Sequence, residues 1–223
     1  MHFLNTILDI LFPTKCILCG KNDVDLCVEC LKEAPEAMRE SPKWIFPAYD
    51  YRHPVIRKSL QLLKYKGKRN LAKVFAEIIY EKITEELSDL SVLENFTNPI
   101  LVPIPLSPKR LRERGFNQAQ LICEEIIKIN NKRNNLNIKL ENNILIKPKD
   151  TEHQAQIKDR RARLKNISGS FAIKNTEENI KKLKNRNIII IDDILTTSAT
   201  LSEARKVLKQ SGARKIIAFT VAH

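Results

Sequence analysis

Residues Ile188–Thr200 read IIIIDDILTTSAT. Four consecutive β-branched residues, Ile188 to Ile191, predict a strand buried on both faces, which delivers Asp192 and Asp193 to its carboxyl end. A polar turn follows, Thr196-Thr197-Ser198-Ala199-Thr200, and then a helix with Leu201, Ala204, Val207 and Leu208 on or near one face. Gly212 suits the helix C-cap, and Lys215 to Val221 is a second apolar strand. A β-α-β unit of this kind implies a parallel sheet with a right-handed crossover. Ligands of open parallel sheets bind beyond the carboxyl ends of the strands, where a helix N-terminus offers free N–H groups to a phosphate. The turn hydroxyls would add donors, and two adjacent carboxylates suit the hydroxyls of a ribose beside a divalent cation. Taken singly each feature is weak, because Ser and Thr are ordinary N-caps and acidic strand ends are common.

Upstream, Ile100 to Pro105 predicts a short strand that its prolines end abruptly. Arg112, Arg114 and Gly115 then precede a helix whose Leu121, Ile122, Ile126 and Ile129 recur at helical spacing, with Asn117 as its N-cap. Arginines beside a glycine turn at a helix start are placed to clasp a pyrophosphate through bidentate contacts. On charge alone a solvated loop explains them as well.

Near the other end, Cys16-x-x-Cys19 and Cys27-x-x-Cys30 form two knuckles separated by seven residues. Four thiolates close a tetrahedral sphere around zinc, which makes such a site structural. Two disulfides, or one redox pair, are the rival readings; a reducing compartment disfavours the first, and the second lacks a strand-turn-helix context. Cys123 lies in an apolar helix and is expected to be packed there. Before the knuckles, Phe3, Leu4, Ile7, Leu8 and Leu11 make one apolar helical face, read as packing on the knuckle or core rather than on a membrane.

The chain has 223 residues and a net charge of +13. Residues 101–223 hold 25 basic and 12 acidic side chains, so the whole excess falls there, as a polyanionic partner would require. A solvated basic surface gives the same count. Residues Lys64 to Lys73 contain five basic side chains and Tyr65, a pattern that suits single-stranded nucleic acid but more often marks a solvated helix face. With only five glycines, none spaced as G-x-x-x-x-G-K or G-x-G-x-x-G, P-loop and standard dinucleotide sites are excluded. The four scattered histidines exclude H-E-x-x-H chemistry. No apolar run is long enough for a membrane span, and the first residues lack a basic region and a cleavage site, so a cytoplasmic protein is expected.

The string Ile188 to Thr200 resembles the phosphoribosyl pyrophosphate (PRPP) motif of type I phosphoribosyltransferases, with Ser198 where that motif usually has Gly. The resemblance implies that Asp192 and Asp193, the residues nearest the chemistry, contact the ribose hydroxyls, and that Thr196, Thr197, Ser198, Ala199 and Thr200 wrap the 5′-phosphate. Val102-Pro-Ile-Pro-Leu-Ser107 followed by Arg112-x-Arg114-Gly-Phe-Asn-Gln-Ala119 resembles the signature of the ComF family. These are phosphoribosyltransferase-like proteins with an N-terminal cysteine knuckle, associated with DNA uptake in natural competence. The resemblance extends to Lys64-Tyr65-Lys66-Gly67 and, with approximate spacing, to Thr151, Gln154, Arg163, Asn166 and Phe171. In type I phosphoribosyltransferases the stretch corresponding to Lys147–Lys165 is a loop that closes over pyrophosphate; here it holds seven basic and three acidic residues.

The expected architecture is therefore α/β, a type I phosphoribosyltransferase-like parallel sheet flanked by helices with a small N-terminal zinc-binding module. The expected segments are a knuckle with an N-terminal helix over residues 1–45, a helical connecting or hood region over 46–98, and an α/β domain over 99–223. Resemblance implies structural Zn²⁺ on Cys16, Cys19, Cys27 and Cys30, and PRPP with Mg²⁺ on Arg112, Arg114, Gly115, Asp192, Asp193 and Thr196–Thr200. It further implies a part in DNA uptake, with single-stranded DNA and uptake-machinery proteins as partners, in the cytoplasm or peripherally at the inner face of the membrane. A nucleobase-salvage phosphoribosyltransferase and a non-catalytic PRPP sensor remain alternatives, and whether transfer occurs stays open.

Overall fold

The computed structural model describes residues 15–38, 40–148 and 167–223. The apolar face at Phe3 to Leu11, Thr151, Gln154, Arg163, Asn166, and most of the loop expected over 147–165 lie outside them.

In chain order the elements are α1 (Val28–Lys32), β1 (Ile45–Tyr49), α2 (Pro54–Tyr65), α3 (Leu71–Glu94) and β2 (Ile100–Pro103). There follow α4 (Pro108–Arg114), α5 (Gln118–Arg133), β3 (Lys139–Leu140), β4 (Leu145–Ile146), β5 (Ala172–Ile173) and α6 (Glu177–Leu183). Last come β6 (Ile188–Ile194), α7 (Ala199–Gln210) and β7 (Ile216–Ala222).

Five strands form one parallel sheet in the order β1-β7-β6-β2-β3, and β4 pairs with β5 in a small antiparallel ribbon. The isoleucine run is its centre. Ile188 and Ile190 point into the layer that holds Leu201, Ala204 and Leu208 of α7, whereas Ile189 and Ile191 point into the opposite layer with α3 and α5. All four are fully buried, as a strand covered on both faces demands. Segment 46–98 contributes to this sheet as well: β1 forms its edge, and Phe75, Ile79 and Ile83 of α3 lie in the same layer as Ile122, Cys123 and Ile126 of α5.

Pro103 sits in an interior strand without breaking the ladder, because β3 pairs with β2 only at Ile100 and Leu101. Asn117 caps α5 as its sequence predicts, its side chain accepting from the Ala119 N–H at 3.1 Å. Gly212, at φ +97°, lies just past the end of α7. Cys123 is fully buried.

The knuckle is welded to the body rather than tethered to it. Cys16, Leu26, Cys27 and Leu31 belong to the same apolar cluster as Leu60 and Leu63 of α2, with Leu26 and Leu31 fully buried. No helix among the described residues is long and apolar enough to cross a membrane.

Candidate functional site

Connections from β2 and β6 leave the sheet in opposite directions. Of the two helices that follow β2, the second, α5, covers one face, and the helix after β6, α7, covers the other. Between two neighbouring strands that diverge in this way a crevice opens at the carboxyl edge of the sheet. It is a cleft of about 370 Å³, walled by the ends of β2 and β6, the start of α5, and Leu60, Gln61, Lys64 and Tyr65 of α2.

Asp192 and Asp193 lie at its floor. Lys64 Nζ reaches Asp193 Oδ2 at 2.9 Å, and the Asp193 N–H donates to Asp192 Oδ1 at 2.8 Å. Asp192 keeps part of its surface open to the cleft, but its carboxyl is pushed up to about 7. Desolvation is the main cause and the neighbouring Asp193 charge the next; the Asp193 N–H, Lys64 and Lys147 work against them. A carboxyl raised from 3.8 in the unfolded chain costs stability as it ionises, so this contribution is lost as pH rises from about 4 through 7.

Four cationic residues, Lys64, Arg110, Arg114 and Lys147, line the same cleft, against two acidic ones. Lys147 is buried to 7% exposure, with its Nζ 5.2 Å from the centre of the Phe171 ring. Arg114 donates to Gln118 Oε1 at 2.8 Å and stacks over Tyr65 at 5.4 Å. Ser107 Oγ and Gln118 Nε2 are buried in the cleft wall and find no partner among the described residues. Buried polar atoms without partners are costly, so these two carry a penalty in the cleft wall.

The predicted residues divide. Asp192, Asp193, Arg114, Thr196 and Thr200 line the cleft. Gly115 ends α4 at φ +75°, a conformation that suits glycine, and does not itself line the cleft. Arg112 is exposed and is not part of the wall; one helical turn places Arg110 and Arg114 there instead. Thr197 and Ser198 are partly covered and Ala199 is buried. Ser198 has φ −65° and ψ 0°, ordinary for any residue, so the turn as built does not need glycine at this position. Ser198→Gly should therefore leave the fold intact and lower stability by no more than about 1 kcal/mol, as read by thermal unfolding.

Ser107, Arg110 and Gln118 were not singled out from the sequence, and Lys64 was quoted only within the Lys64–Gly67 resemblance and the basic run, without a role in the cleft. Ser107 and Gln118 fall inside the two quoted strings 102–107 and 112–119, but their burial without partners is visible only in three dimensions.

In the N-terminal knuckle, Cys16, Cys19, Cys27 and Cys30 bring their sulfurs within 4.8 Å of one another. Two of the separations are Cys16 to Cys27 at 3.8 Å and Cys19 to Cys27 at 3.6 Å. A tetrahedron of Zn–S bonds of about 2.3 Å separates its sulfurs by about 3.8 Å, whereas a disulfide needs about 2.05 Å. The cluster could hold a metal such as zinc. Burial opposes ionisation of Cys16, yet the N–H groups of Cys19, Leu18 and Cys27 bring it down to about 6, while Cys30 is pushed up by Cys27 and Cys19. A bound dication would let all four ionise together.

Fold and clefts together define an α/β protein with an anion-attracting crevice at the strand ends and a four-thiol metal-type cluster. No protein-family model matches the chain. It is 33% identical to Competence protein F of Haemophilus influenzae over 118 residues, 52% of this chain and 46% of that protein. It is 32% identical to Competence protein ComFC of Bacillus subtilis over 174 residues, 78% and 61% of the two chains. With ComFC of Streptococcus pneumoniae it shares 28% over 211 residues, 92% and 79% of the two. The match thus spans about half and three-fifths of the first two relatives. A solved hypoxanthine-guanine phosphoribosyltransferase of L. donovani aligns at 12% identity and TM-score 0.38, over 68% of this chain and 67% of that one. The chain is a homologue of the competence proteins F and ComFC, as its resemblance to the ComF family implied.

Proposed function

We propose that the cleft binds PRPP with Mg²⁺, and that the protein serves DNA uptake, handling single-stranded DNA at the cytoplasmic side. The observation that carries the first part is the acidic pair flanked by four cations at the crevice between β2 and β6. In this reading Asp192 and Asp193 accept from the ribose hydroxyls, and the turn from Thr196 to Thr200 receives the 5′-phosphate at the start of α7. The pyrophosphate lies toward Arg110 and Arg114, with Ser107 and Gln118 donating to it. Asp192 and Asp193 would stand nearest to a Mg²⁺ accompanying the ligand, which would offset the charge of its phosphates. Zinc on the four cysteines is structural.

The second part rests on the names of the relatives and on the +13 charge. It predicts binding to a single-stranded oligonucleotide that weakens steeply with salt. Transfer to a nucleobase is favoured by one observation only, that Tyr51, Gln61 and Tyr65 line the cleft with aromatic and amide surface. Were transfer to occur, the ionised Asp192 and Asp193 would stabilise the cationic sugar while the cations held the departing pyrophosphate.

Thermal unfolding tests the ligand assignment. PRPP with Mg²⁺ should raise the midpoint in a concentration-dependent way, and more than ribose 5-phosphate or pyrophosphate at the same concentration. No shift with any of the three would contradict it. Because the ionised Asp192 is the stronger acceptor, affinity should rise as pH is raised through 7 and level off above it, with proton release on binding. A flat affinity between pH 6 and 8 would remove Asp192 from the contact.

A further inference from the structure

One short segment joins the cysteine cluster to the cleft. Residues 64–69 run from the end of α2 into the turn before α3; the side chains of 64, 65 and 69 meet the cleft and the start of α5, and that of Lys68 meets the knuckle. Lys64 pairs with Asp193, and Tyr65 lies under Arg114. Lys68 Nζ pairs with Asp25 Oδ1 at 3.0 Å, and Asp25, two residues before Cys27, is only 6% exposed. The Asp25 carbonyl in turn accepts from the Ile17 N–H at 3.0 Å, which ties the two knuckles. Arg69 stacks on Phe116 at 4.7 Å, and Phe116 separates Gly115 from the N-cap Asn117 of α5. Beneath them Leu26 and Leu31 of the knuckle and Leu60 and Leu63 of α2 share one apolar cluster with no exposure.

We infer that segment 64–69 couples the four-cysteine metal site to the cleft, with Asp25 and Lys68 as its positioning residues. A knuckle without metal lacks the metal–sulfur bonds between its two turns, which are then joined only by hydrogen bonds such as Ile17 N–H to the Asp25 carbonyl. Its backbone then loosens, Asp25 and Leu26 leave their places, and α2 loses the support that aims Lys64 and Tyr65 into the cleft. The buried side of the coupling is the Asp25 carboxylate, which is stable in that position only while Lys68 or water neutralises it. Linkage makes the effect reciprocal: a ligand that rigidifies the cleft slows loss of the metal by the same coupling free energy. The affinity half of this inference rests on the reading of the cleft as a PRPP site; the structural half does not.

The test uses the whole protein loaded with one equivalent of Zn²⁺. Hydrogen exchange is measured before and after chelation, and again in Lys68→Met with zinc retained. The inference expects chelation to speed exchange at 60–69 and at 114–118 as well as at 15–34, and Lys68→Met to speed it at 114–118 with full metal content. In parallel, saturating PRPP with Mg²⁺ should slow zinc transfer to a chromophoric chelator several-fold in the parent and not in Lys68→Met, which should itself bind PRPP several-fold more weakly. Exchange changes confined to 15–34, with Lys68→Met like the parent, would overturn the coupling. PRPP failing to bind the zinc-loaded parent would instead overturn the ligand assignment, leaving the exchange data to decide the coupling.

Discussion

Asp192→Asn is expected to weaken PRPP binding by about tenfold to a hundredfold, the loss that accompanies removal of a charge-assisted hydrogen bond worth about 1.5–3 kcal/mol. The substitution isolates charge from shape. Asn has nearly the same volume, and its side-chain carbonyl can still accept from the Asp193 N–H that now reaches Asp192 Oδ1 at 2.8 Å. What disappears is a carboxylate that desolvation and Asp193 already hold up to about 7. Above that pH the native protein bears the cost of ionising it, so the variant should unfold at an equal or higher temperature at pH 8 while binding PRPP more weakly. Opposite signs on stability and binding separate loss of a ligand contact from general damage. A variant with unchanged affinity would mean that the acidic pair does not touch the ligand.

Cys16→Ser should have the largest effect on the fold. Cys16 is 4% exposed, receives the Cys27 N–H at 3.5 Å, and lies in the apolar cluster shared with α2. Structural zinc in small sites contributes on the order of 10 kcal/mol of binding free energy, which is folding free energy for the turns that hold it. Three remaining thiolates bind far less tightly, and Leu26 and Leu31 would be left on a loosened lid over Leu60 and Leu63. The expected result is loss of stoichiometric metal and a fall in melting temperature of roughly 10 °C, corresponding to about 3 kcal/mol or more in a chain of this size. Metal analysis and a thermal scan read both. Full metal content in the variant would show that Cys16 is not a ligand.

The centre of the fold was legible because its signals are local. Four β-branched residues in a row can be buried on both faces only in a sheet with helices on each side, and β6 between β7 and β2 is that arrangement. Two C-x-x-C pairs bring four sulfurs together for the same reason, since short turns fix their geometry. The cleft was half legible. Asp192 and Asp193 follow from the strand, but Arg112 was expected in the wall and Arg110 was not, although both lie on α4. Which face of a seven-residue amphiphilic helix turns inward depends on the packing of Ser107 and Gly115 at its ends, and local periodicity does not specify it. Lys64 was read within a basic run, because the sequence contains no sign that α2 folds back over the end of β6. Pairing between residues 129 positions apart is a property of topology.

Calorimetric titration of the zinc-loaded protein with PRPP and Mg²⁺, run at pH 7 and pH 8 in two buffers of different ionisation enthalpy, tests the central claim most directly. The account predicts saturable binding at one site per chain, with a proton released into the buffer as pH is lowered toward 7 and Asp192 gives up its share. Absence of saturable heat in either buffer, from protein that retains its metal and melts cooperatively, would contradict it.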